Sequence, residues 1–293
     1  MIQEFDMHIH TTNSDGEFSV KEIVKKLKSK NIKIFSITDH DSVNSINQIK
    51  DLDLEGLTYI PGIEISSVLD GKYELHILGY NIDPYNEELL EVLEYLKEYR
   101  INKFYEILKI LKRRFNMTFK EEDIKAILKR NKNPGKPHIA RMMVRYGYCS
   151  SVKEAFELYI TKLKINVYNK MELKTVCKVI KKAGGIPVLA HPKTIENVYH
   201  IDIYDLMEEI KKAGIVGIEV FNSIHSYNDC KKYKQVAEDY NLLVTGGSDF
   251  HGANIKKDVR LGVVFNSKKN IPINIDSISV LKKLNVDSKV DTK

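Results

Sequence analysis

The first ten residues alternate apolar and polar side chains with a period of two, which predicts a β-strand. One face of this strand is apolar and belongs in a core, whereas the other face carries Asp6, His8 and His10. Burying these ionisable groups without partners is unfavourable. Two imidazoles two positions apart point the same way and can bind one metal ion. The alternative is a half-exposed strand whose polar face is merely solvated.

Six further apolar runs of strand length follow, and most are separated by segments with helical spacing. These runs lie at 34–38, 57–66, 73–80, 185–189, 215–221 and 242–247. A capping box formed by Ser19 and Glu22 opens the first helix. Other helices are expected near 43–52, 173–183, 206–213 and 229–240. Strands that alternate with helices indicate an α/β fold whose parallel strands close into a barrel.

The pattern changes between about residues 86 and 163, where almost only helical periodicity is present. Leu89, Leu93 and Leu96 have this spacing, and the segment Asn131–Gly135 signals a loop between helices. Because the region is rich in apolar residues, we interpret it as a helical insertion rather than a linker. We therefore expect a barrel domain formed by residues 1–85 and 164–293, interrupted by an insertion domain at 86–163.

Composition narrows the class of protein without identifying a function. The chain has 293 residues, of which 43% are hydrophobic, so it can bury a sizeable core. It has no apolar run of membrane-spanning length and no pattern of a secretory signal. Its three cysteines, Cys149, Cys177 and Cys230, lack paired spacing, which is typical of reduced thiols and predicts a cytoplasmic protein. The net charge of +6 is compatible with phosphate-bearing substrates but does not require them.

Residues of the metal-ligand type recur at the ends of the predicted strands. They are His8, His10, His40, Glu64, His191, Asp249 and His251. Each residue alone has an ordinary explanation, such as a capping aspartate or a hydrogen-bonded core histidine. The ends of parallel barrel strands converge on one face, however, and such folds place their chemistry there. The shared position of these residues therefore predicts a functional site.

The motifs at these positions resemble those of the PHP (polymerase and histidinol phosphatase) superfamily. They are Asp6-x-His8-x-His10-Thr11, Ser14-Asp15-Gly16, Thr38-Asp39-His40-Asp41, Pro61-Gly62-Ile63-Glu64, His76, Ala190-His191-Pro192 and Ser248-Asp249-Phe250-His251-Gly252. Within that superfamily the chain is most similar to bacterial phosphoesterases that act on nucleotides and on short RNA 5′ ends. Those enzymes carry a helical insertion at the same place, with a motif like the Gly135–Arg141 segment.

The resemblance implies a distorted TIM-like (β/α)7 barrel that holds two to three divalent metal ions. The first ion would be held by His8, His10, Glu64 and Asp249, the second by Asp15, His40 and His251, and the third by His76 and His191. Glu64 would bridge the first and third ions. Mixed imidazole and carboxylate ligands suit Mn, Zn or Fe better than Mg or Ca. We expect Asp6 to orient a histidine as a hydrogen-bond acceptor.

The same resemblance implies that a water between two ions loses a proton near neutral pH and attacks phosphorus in line. Asp39 or Asp249 is the candidate to relay a proton. From the insertion, the substrate phosphate would be held by Lys136, His138 and Arg141. The alternative for these three residues is an ordinary basic helix start after a Pro-Gly turn.

A few other residues are candidates for the pocket. Asn222, like Glu219, is predicted to contact either a metal ligand or the substrate. His225 either faces the pocket or lies in a surface loop. The insertion also carries aromatic side chains, which either stack on a base or pack between helices; they are Tyr146, Tyr148 and Tyr159.

The sequence therefore predicts a cytoplasmic, metal-dependent phosphoesterase that hydrolyses a phosphomonoester of a nucleotide-like substrate, a nucleoside mono- or 3′,5′-bisphosphate. One alternative is a 5′-to-3′ exoribonuclease on short RNA, although no recognised RNA-binding motif is present. Histidinol-phosphate hydrolysis is disfavoured by the type of insertion. An inactive, metal-bound structural module is disfavoured because every ligand motif is present. We expect neither a membrane nor an obligate protein partner.

Overall fold

A computed structural model of the chain describes residues 4–130, 133–163, 171–262, 273 and 275–286. Its eight strands are β1 (Phe5–Ile9), β2 (Ile34–Ile37), β3 (Thr58–Tyr59), β4 (Gly62–Leu69), β5 (Tyr73–Tyr80), β6 (Ile186–Leu189), β7 (Gly217–Asn222) and β8 (Leu243–Gly247). Parts of the predicted barrel domain, at 1–3, 164–170, 263–272, 274 and 287–293, lie outside the described residues, as do residues 131–132 of the loop predicted at 131–135.

Helices connect and cover these strands. They are α1 (Val20–Ser29), α2 (Asn44–Ile49), α3 (Glu87–Phe115), α4 (Glu121–Arg130), α5 (Lys136–Arg145), α6 (Val152–Leu158), α7 (Leu173–Lys182), α8 (Pro192–Tyr199), α9 (Tyr204–Ala213), α10 (Tyr227–Asp239) and α11 (Ser279–Lys283). Short 3₁₀ turns span Ile160–Lys162 and Ile275–Ser277. The amphipathic spacing and the caps explain the boundaries. For example, Ser19 and Glu22 form the expected capping box of α1.

The strands form two sheets. The first has the order β1-β2-β3 and is parallel, and the second has the order β4-β5-β6-β7-β8. Within the second sheet β5 is antiparallel to both β4 and β6, whereas β6, β7 and β8 run parallel. The prediction of parallel strands is therefore wrong for β5. Its cause is local: residues 70–72 form a tight hairpin in which Asp70 and Gly71 have positive φ, so no crossover helix intervenes.

The predicted strand at 57–66 is also divided. Its first part is β3, on the edge of the first sheet, and its second part is β4, on the edge of the second sheet. Pro61 lies between them and has no N–H to continue a ladder. As a result Glu64 lies within β4 rather than at a strand end, and His76 lies within β5, as expected.

Backbone hydrogen bonds link the two sheets beside the ligand-type residues. The N–H of Asp249 donates to the carbonyl of His8 at 2.9 Å, and the N–H of His10 donates to the carbonyl of Phe250 at 2.9 Å. On the other side, the N–H of Asp41 donates to the carbonyl of Glu64 at 2.8 Å. The fold is thus mixed α/β, with strand ends of both sheets held together. Closure into a (β/α)7 barrel stays a prediction.

The insertion is helical, as predicted, and its first helix spans two cores. The N-terminal turns of α3 bury Leu89, Leu93 and Leu96 in the core shared with β4, β5 and α7. Its C-terminal half buries Phe104 and Leu111 in a separate cluster with α4, α5 and α6. The domain boundary at residue 86 stays a prediction, since α3 joins both parts. Among the described residues, no helix is long and apolar enough to cross a membrane. The cytoplasmic location stays a prediction.

Candidate metal centre

Two histidines of β1 form the base of the centre. His8 and His10 are fully buried and point from the same face of the strand. Their Nε2 atoms are 3.1 Å apart. That separation suits two nitrogens that share one ion with bonds of about 2.0–2.1 Å. Alternation along a single strand is therefore sufficient to bring the first pair of candidate ligands together.

The carboxylate of Glu64 lies in the middle of the centre. Its Oε1 is 3.0 Å from His76 Nδ1 and 3.0 Å from His191 Nε2. Its Oε2 lies 2.9–3.3 Å from ring nitrogens of His8, His10 and His40. The two oxygens thus face different sets of imidazoles, which is the geometry required of a bridging ligand.

A second group forms around the turn that follows β1. Asp15 Oδ1 is 3.3 Å from His251 Nε2, and Asp15 Oδ2 is 3.9 Å from His40 Nε2. Asp39 holds this turn, because its oxygens accept hydrogen bonds from the Thr11 N–H and hydroxyl, both at 2.7 Å, and from the Ser14 hydroxyl at 2.6 Å. Asp39 therefore positions the loop that carries Asp15.

The carboxylate of Asp249 closes the centre on the β8 side. Its Oδ1 is 3.3 Å from His10 Nε2 and 3.3 Å from His251 Nδ1. Both Asp249 and His191 have positive φ, at 56° and 25°. Such backbone conformations are costly for residues other than glycine and tend to cluster at functional sites.

The nine predicted metal ligands thus come together in one place. Four sets have ligand atoms within 4.8 Å of one another: His10, Asp15, His40 and His251; His8, His10 and Asp249; His8, Glu64 and His191; and His40, Glu64 and His76. The first set contains the three ligands expected for the second ion together with His10, and the second set contains three of the four ligands expected for the first ion, without Glu64. His76 and His191 share Glu64 Oε1 but fall into separate sets.

Hydrogen bonding tests whether metal ions fit these residues. Glu64 Oε2 and Asp15 Oδ1 are buried atoms without a hydrogen-bond partner, as are ring nitrogens of His10, His40 and His191. Buried polar atoms are normally paired. Of these atoms, Glu64 Oε2 lies 2.9 Å from His40 Nδ1, and Asp15 Oδ1 lies 3.3 Å from His251 Nε2. Because these unpaired atoms combine imidazole with carboxylate inside the cluster, cations of the Mn, Zn or Fe type fit them.

The electrostatics keep the carboxylates ionised. Burial alone would raise the pKa of Glu64, but the imidazoles of His40, His8 and His76 outweigh it and hold the pKa well below its usual range. The pKa values of Asp15 and Asp249 are likewise well below normal, since neighbouring imidazoles, and for Asp249 the Lys256 ammonium, outweigh their burial. These three groups are consequently charged at neutral pH and available as ligands.

The histidines divide into two classes. Burial lowers the pKa of His251 to about 4, so its imidazole is neutral at pH 7. Burial also acts to lower the pKa of His10, yet Asp249 and Glu64 raise it to about 9. A proton held in this way competes with a metal cation for the same nitrogen.

A different carboxylate from the expected one orients a histidine ring. Asp6 contacts no imidazole among the described residues. It accepts hydrogen bonds from the N–H and hydroxyl of Ser248 and from the N–H of Gly262, at 2.6–2.8 Å. Glu219 instead lies 3.0 Å from His8 Nδ1 and accepts the His191 N–H at 2.8 Å. Asp6 also accepts the His8 N–H at 3.3 Å, but this donor is backbone. The prediction that Asp6 orients a histidine ring is therefore wrong, because its donors are backbone and hydroxyl groups.

Of the three substrate-binding residues predicted in the insertion, Arg141 contacts the centre. Arg141 Nη1 donates to the Asp15 carbonyl at 3.3 Å. Lys136 is the first residue of α5 and is partly exposed. His138 Nδ1 accepts the Gly135 N–H at 3.0 Å and so caps the same helix, and burial lowers its pKa to about 4.

The two pocket candidates at the C-terminal end of β7 and just after it make internal contacts. Asn222 donates to Glu219 Oε2 at 2.9 Å and accepts the Ile224 N–H at 3.1 Å. His225 is fully buried and its Nδ1 donates to the Val220 carbonyl at 2.8 Å. Both therefore support the β7 end of the centre.

Two cationic side chains beside the centre were not predicted from the sequence. Arg100, on α3, is partly buried and donates through Nε to Asp41 and through Nη2 to Ser66 Oγ at 3.0 Å. Lys256 donates to Asp249 Oδ2 at 2.5 Å. Arg100 lies in a helix with many charges and Lys256 in a loop with several lysines, so neither carries a distinguishing local pattern.

Comparison with known proteins agrees with this fold. A 5′-3′ exoribonuclease of Haemophilus influenzae is 28% identical over 255 residues, or 86% of this chain and 91% of that protein. A 3′,5′-nucleoside bisphosphate phosphatase of Chromobacterium violaceum is 27% identical over 254 residues, or 84% of this chain and 86% of that protein. A Bifidobacterium adolescentis protein assigned as a metal-dependent phosphoesterase superposes with a TM-score of 0.81 at 26% identity, covering 98% of each chain.

The fold, the ligand cluster and these relatives define a metal-dependent hydrolase of phosphoric esters. Residues 6–168, more than half of the chain, match the family model for the PHP domain. The chain therefore belongs to the PHP family.

The role of Glu219 leads to a first prediction. We expect Glu219→Gln to weaken metal binding about 10- to 100-fold, because His8 loses the carboxylate that fixes its ring. Competition with a chelating dye measures this affinity. Glu238→Gln, on the exposed face of α10, is the control and should bind like wild type. Unchanged affinity in Glu219→Gln would show that His8 does not need this contact.

Proposed function

We propose that the chain hydrolyses a phosphomonoester of a nucleotide-like substrate, a nucleoside mono- or 3′,5′-bisphosphate. The observation that carries this proposal is the position of the Glu64 carboxylate. Its two oxygens face separate sets of imidazoles. A carboxylate in this position can be shared by two cations, and adjacent cations are suited to displacement at phosphorus.

We assign the nine clustered residues as ligands. The first ion is assigned to His8, His10, Glu64 and Asp249, the second to Asp15, His40 and His251, and the third to His76 and His191 with Glu64. Two to three ions of Mn, Zn or Fe fit this set. Bound there, the ions supply an activated water and neutralise charge on the phosphoryl oxygens.

The chain's own residues supply the remaining chemistry. Of the two aspartates considered for proton relay, Asp249 faces the cluster, whereas Asp39 gives its oxygens to Thr11 and Ser14. Asp249 Oδ2 in turn accepts a hydrogen bond from Lys256. We therefore assign Asp39 to holding the turn and Asp249 to binding an ion, and we assign the proton relay to neither. Glu219 keeps His8 oriented from behind.

Cations from the insertion are suited to the substrate phosphate. Arg141 lies against the Asp15 carbonyl, and Arg100 lies beside Asp41 and Ser66. Lys136 lies at the start of the helix that carries Arg141. Charge-assisted hydrogen bonds from such groups bind phosphate more strongly than neutral donors do.

A second candidate is 5′-to-3′ exoribonuclease activity, which would use the same centre on a short RNA. The similarity to the Haemophilus influenzae exoribonuclease favours it. The insertion's aromatic residues give it less support, since Tyr146 and Tyr148 pack against Phe119 and their hydroxyls bond within the insertion.

Phosphate release from a substrate panel tests this proposal. The panel contains nucleoside mono- and 3′,5′-bisphosphates, histidinol phosphate and 5′-phosphorylated oligoribonucleotides, each assayed with Mn or Zn. We expect the nucleotides to be hydrolysed and exhaustive chelation to abolish activity, because the water nucleophile depends on the ions. Full activity in protein verified to be free of metal would contradict the proposal. Preference for the oligoribonucleotides would favour the second candidate.

The insertion cations give a separate prediction. Arg141→Gln should keep its metal content and lose about 2 kcal/mol of transition-state binding, or roughly 30-fold in kcat/KM. The loss should be similar for a mononucleotide and an aryl phosphate if only the phosphoryl group is bound. Lys136→Met should show the same effect.

The matched control is Arg145→Gln, because Arg145 lies on the same helix but is 72% exposed and paired with Asp123. It should behave like wild type. A loss of kcat/KM confined to oligoribonucleotides would indicate that Arg141 and Lys136 contact a downstream phosphate of the RNA. Wild-type behaviour of Arg141→Gln and Lys136→Met on every substrate would make the start of α5 purely structural.

A further inference from the structure

The two oxygens of Asp249 have different neighbours. Oδ1 faces the cluster, at 3.3 Å from His10 Nε2, 3.3 Å from His251 Nδ1 and 3.6 Å from His8 Nε2. Oδ2 faces away from it and accepts a hydrogen bond from the Lys256 ammonium at 2.5 Å. Oδ1 is thus available to a metal ion bound among the imidazoles, whereas Oδ2 is hydrogen-bonded to Lys256.

The fold holds Lys256 in place for this contact. The Lys256 N–H donates to the Gly252 carbonyl at 2.9 Å, and Val259 N–H donates to the Lys256 carbonyl at 3.1 Å. Gly252 has a φ of 103°, and a Cβ there would lie 2.4 Å from Glu17 Oε2. The same glutamate accepts hydrogen bonds from Asn254. The turn is therefore fixed on both sides, and the ammonium is directed at Asp249.

We propose that Lys256 is a positioning residue that limits Asp249 to one oxygen as a metal ligand. This inference rests on the proposed function, in which Asp249 binds the first ion. A carboxylate can ligate through one or both oxygens. Two-oxygen ligation would occupy a coordination position that a catalytic site keeps open for water or substrate. The ammonium prevents this by holding Oδ2 in a charge-assisted hydrogen bond.

The proposal predicts opposite changes in metal affinity and turnover for a variant that lacks the Lys256 ammonium. In Lys256→Met, Oδ2 is released and Asp249 can chelate, so metal binding should strengthen while turnover falls. We expect metal affinity to rise about threefold or more, kcat to fall at least about 10-fold and KM to stay within about twofold. A residue that merely supports the loop would lower both affinity and kcat.

Two further variants make the test specific. Lys256→Arg keeps a cation that can donate to Oδ2, so it should restore most of kcat and the wild-type metal affinity. Lys257→Met removes the neighbouring exposed lysine, for which no ion pair is found among the described residues, and it should match wild type throughout. Thermal unfolding of each variant confirms that the fold is retained.

The measurements are metal affinity by chelator competition, metal equivalents per chain, and kcat and KM on the best substrate of the panel. Wild-type kcat in Lys256→Met would overturn the proposal, as would loss of bound metal. A rise in KM alone would make Lys256 a substrate-binding residue instead. If wild type hydrolyses no phosphomonoester, the proposed function fails, whereas the affinity of Lys256→Met relative to wild type still tests the role of Lys256.

Discussion

A fully buried carboxylate surrounded by imidazoles is the constraint on which this structure depends. Other buried acids of the chain have hydrogen-bond donors: Asp6, Asp39 and Glu219 each accept several. In the part of the chain that the structure describes, the carboxylate oxygens of Glu64 face histidine nitrogens, and Oε2 has no hydrogen-bond partner. Burying a charge is unfavourable unless opposite charge accompanies it. Cations shared between the histidines and Glu64 supply this opposite charge. The same bound cations would therefore stabilise the buried carboxylate and provide the chemistry of the site.

The rest of the fold brings side chains to this carboxylate from distant parts of the chain. Glu64 itself lies on β4, and the imidazoles come from β1, β5 and the loops after β2, β6 and β8. The helical insertion is tied to the same place, because Arg100 pairs with Asp41 and Asn133 donates to the Asp41 carbonyl at 2.9 Å. Since α3 is buried in two cores, this link gives the insertion a fixed position beside the cluster.

Much of the centre was predictable because its residues follow apolar runs that reveal strands. His8 and His10 share a face by simple alternation, and the remaining ligand motifs resemble a known family. The strand β5 was predicted, but its antiparallel direction was not, because a tight turn at 70–72 replaces a crossover. Glu219 could not be assigned to His8, 211 positions away, since strand pairing alone brings them together. Asp6 was misassigned because its face was predicted correctly but its donors, near Ser248, were not visible in the sequence.

The central claim is that Glu64 is shared between ions, and the number of metal equivalents bound by Glu64→Gln tests it most directly. The amide nearly preserves volume and removes the shared negative charge. We expect wild type to bind about two or three equivalents and Glu64→Gln to lose at least one, with activity falling about 100-fold or more. A Glu64→Gln variant that binds as many equivalents as wild type and retains a near-normal rate would contradict the account.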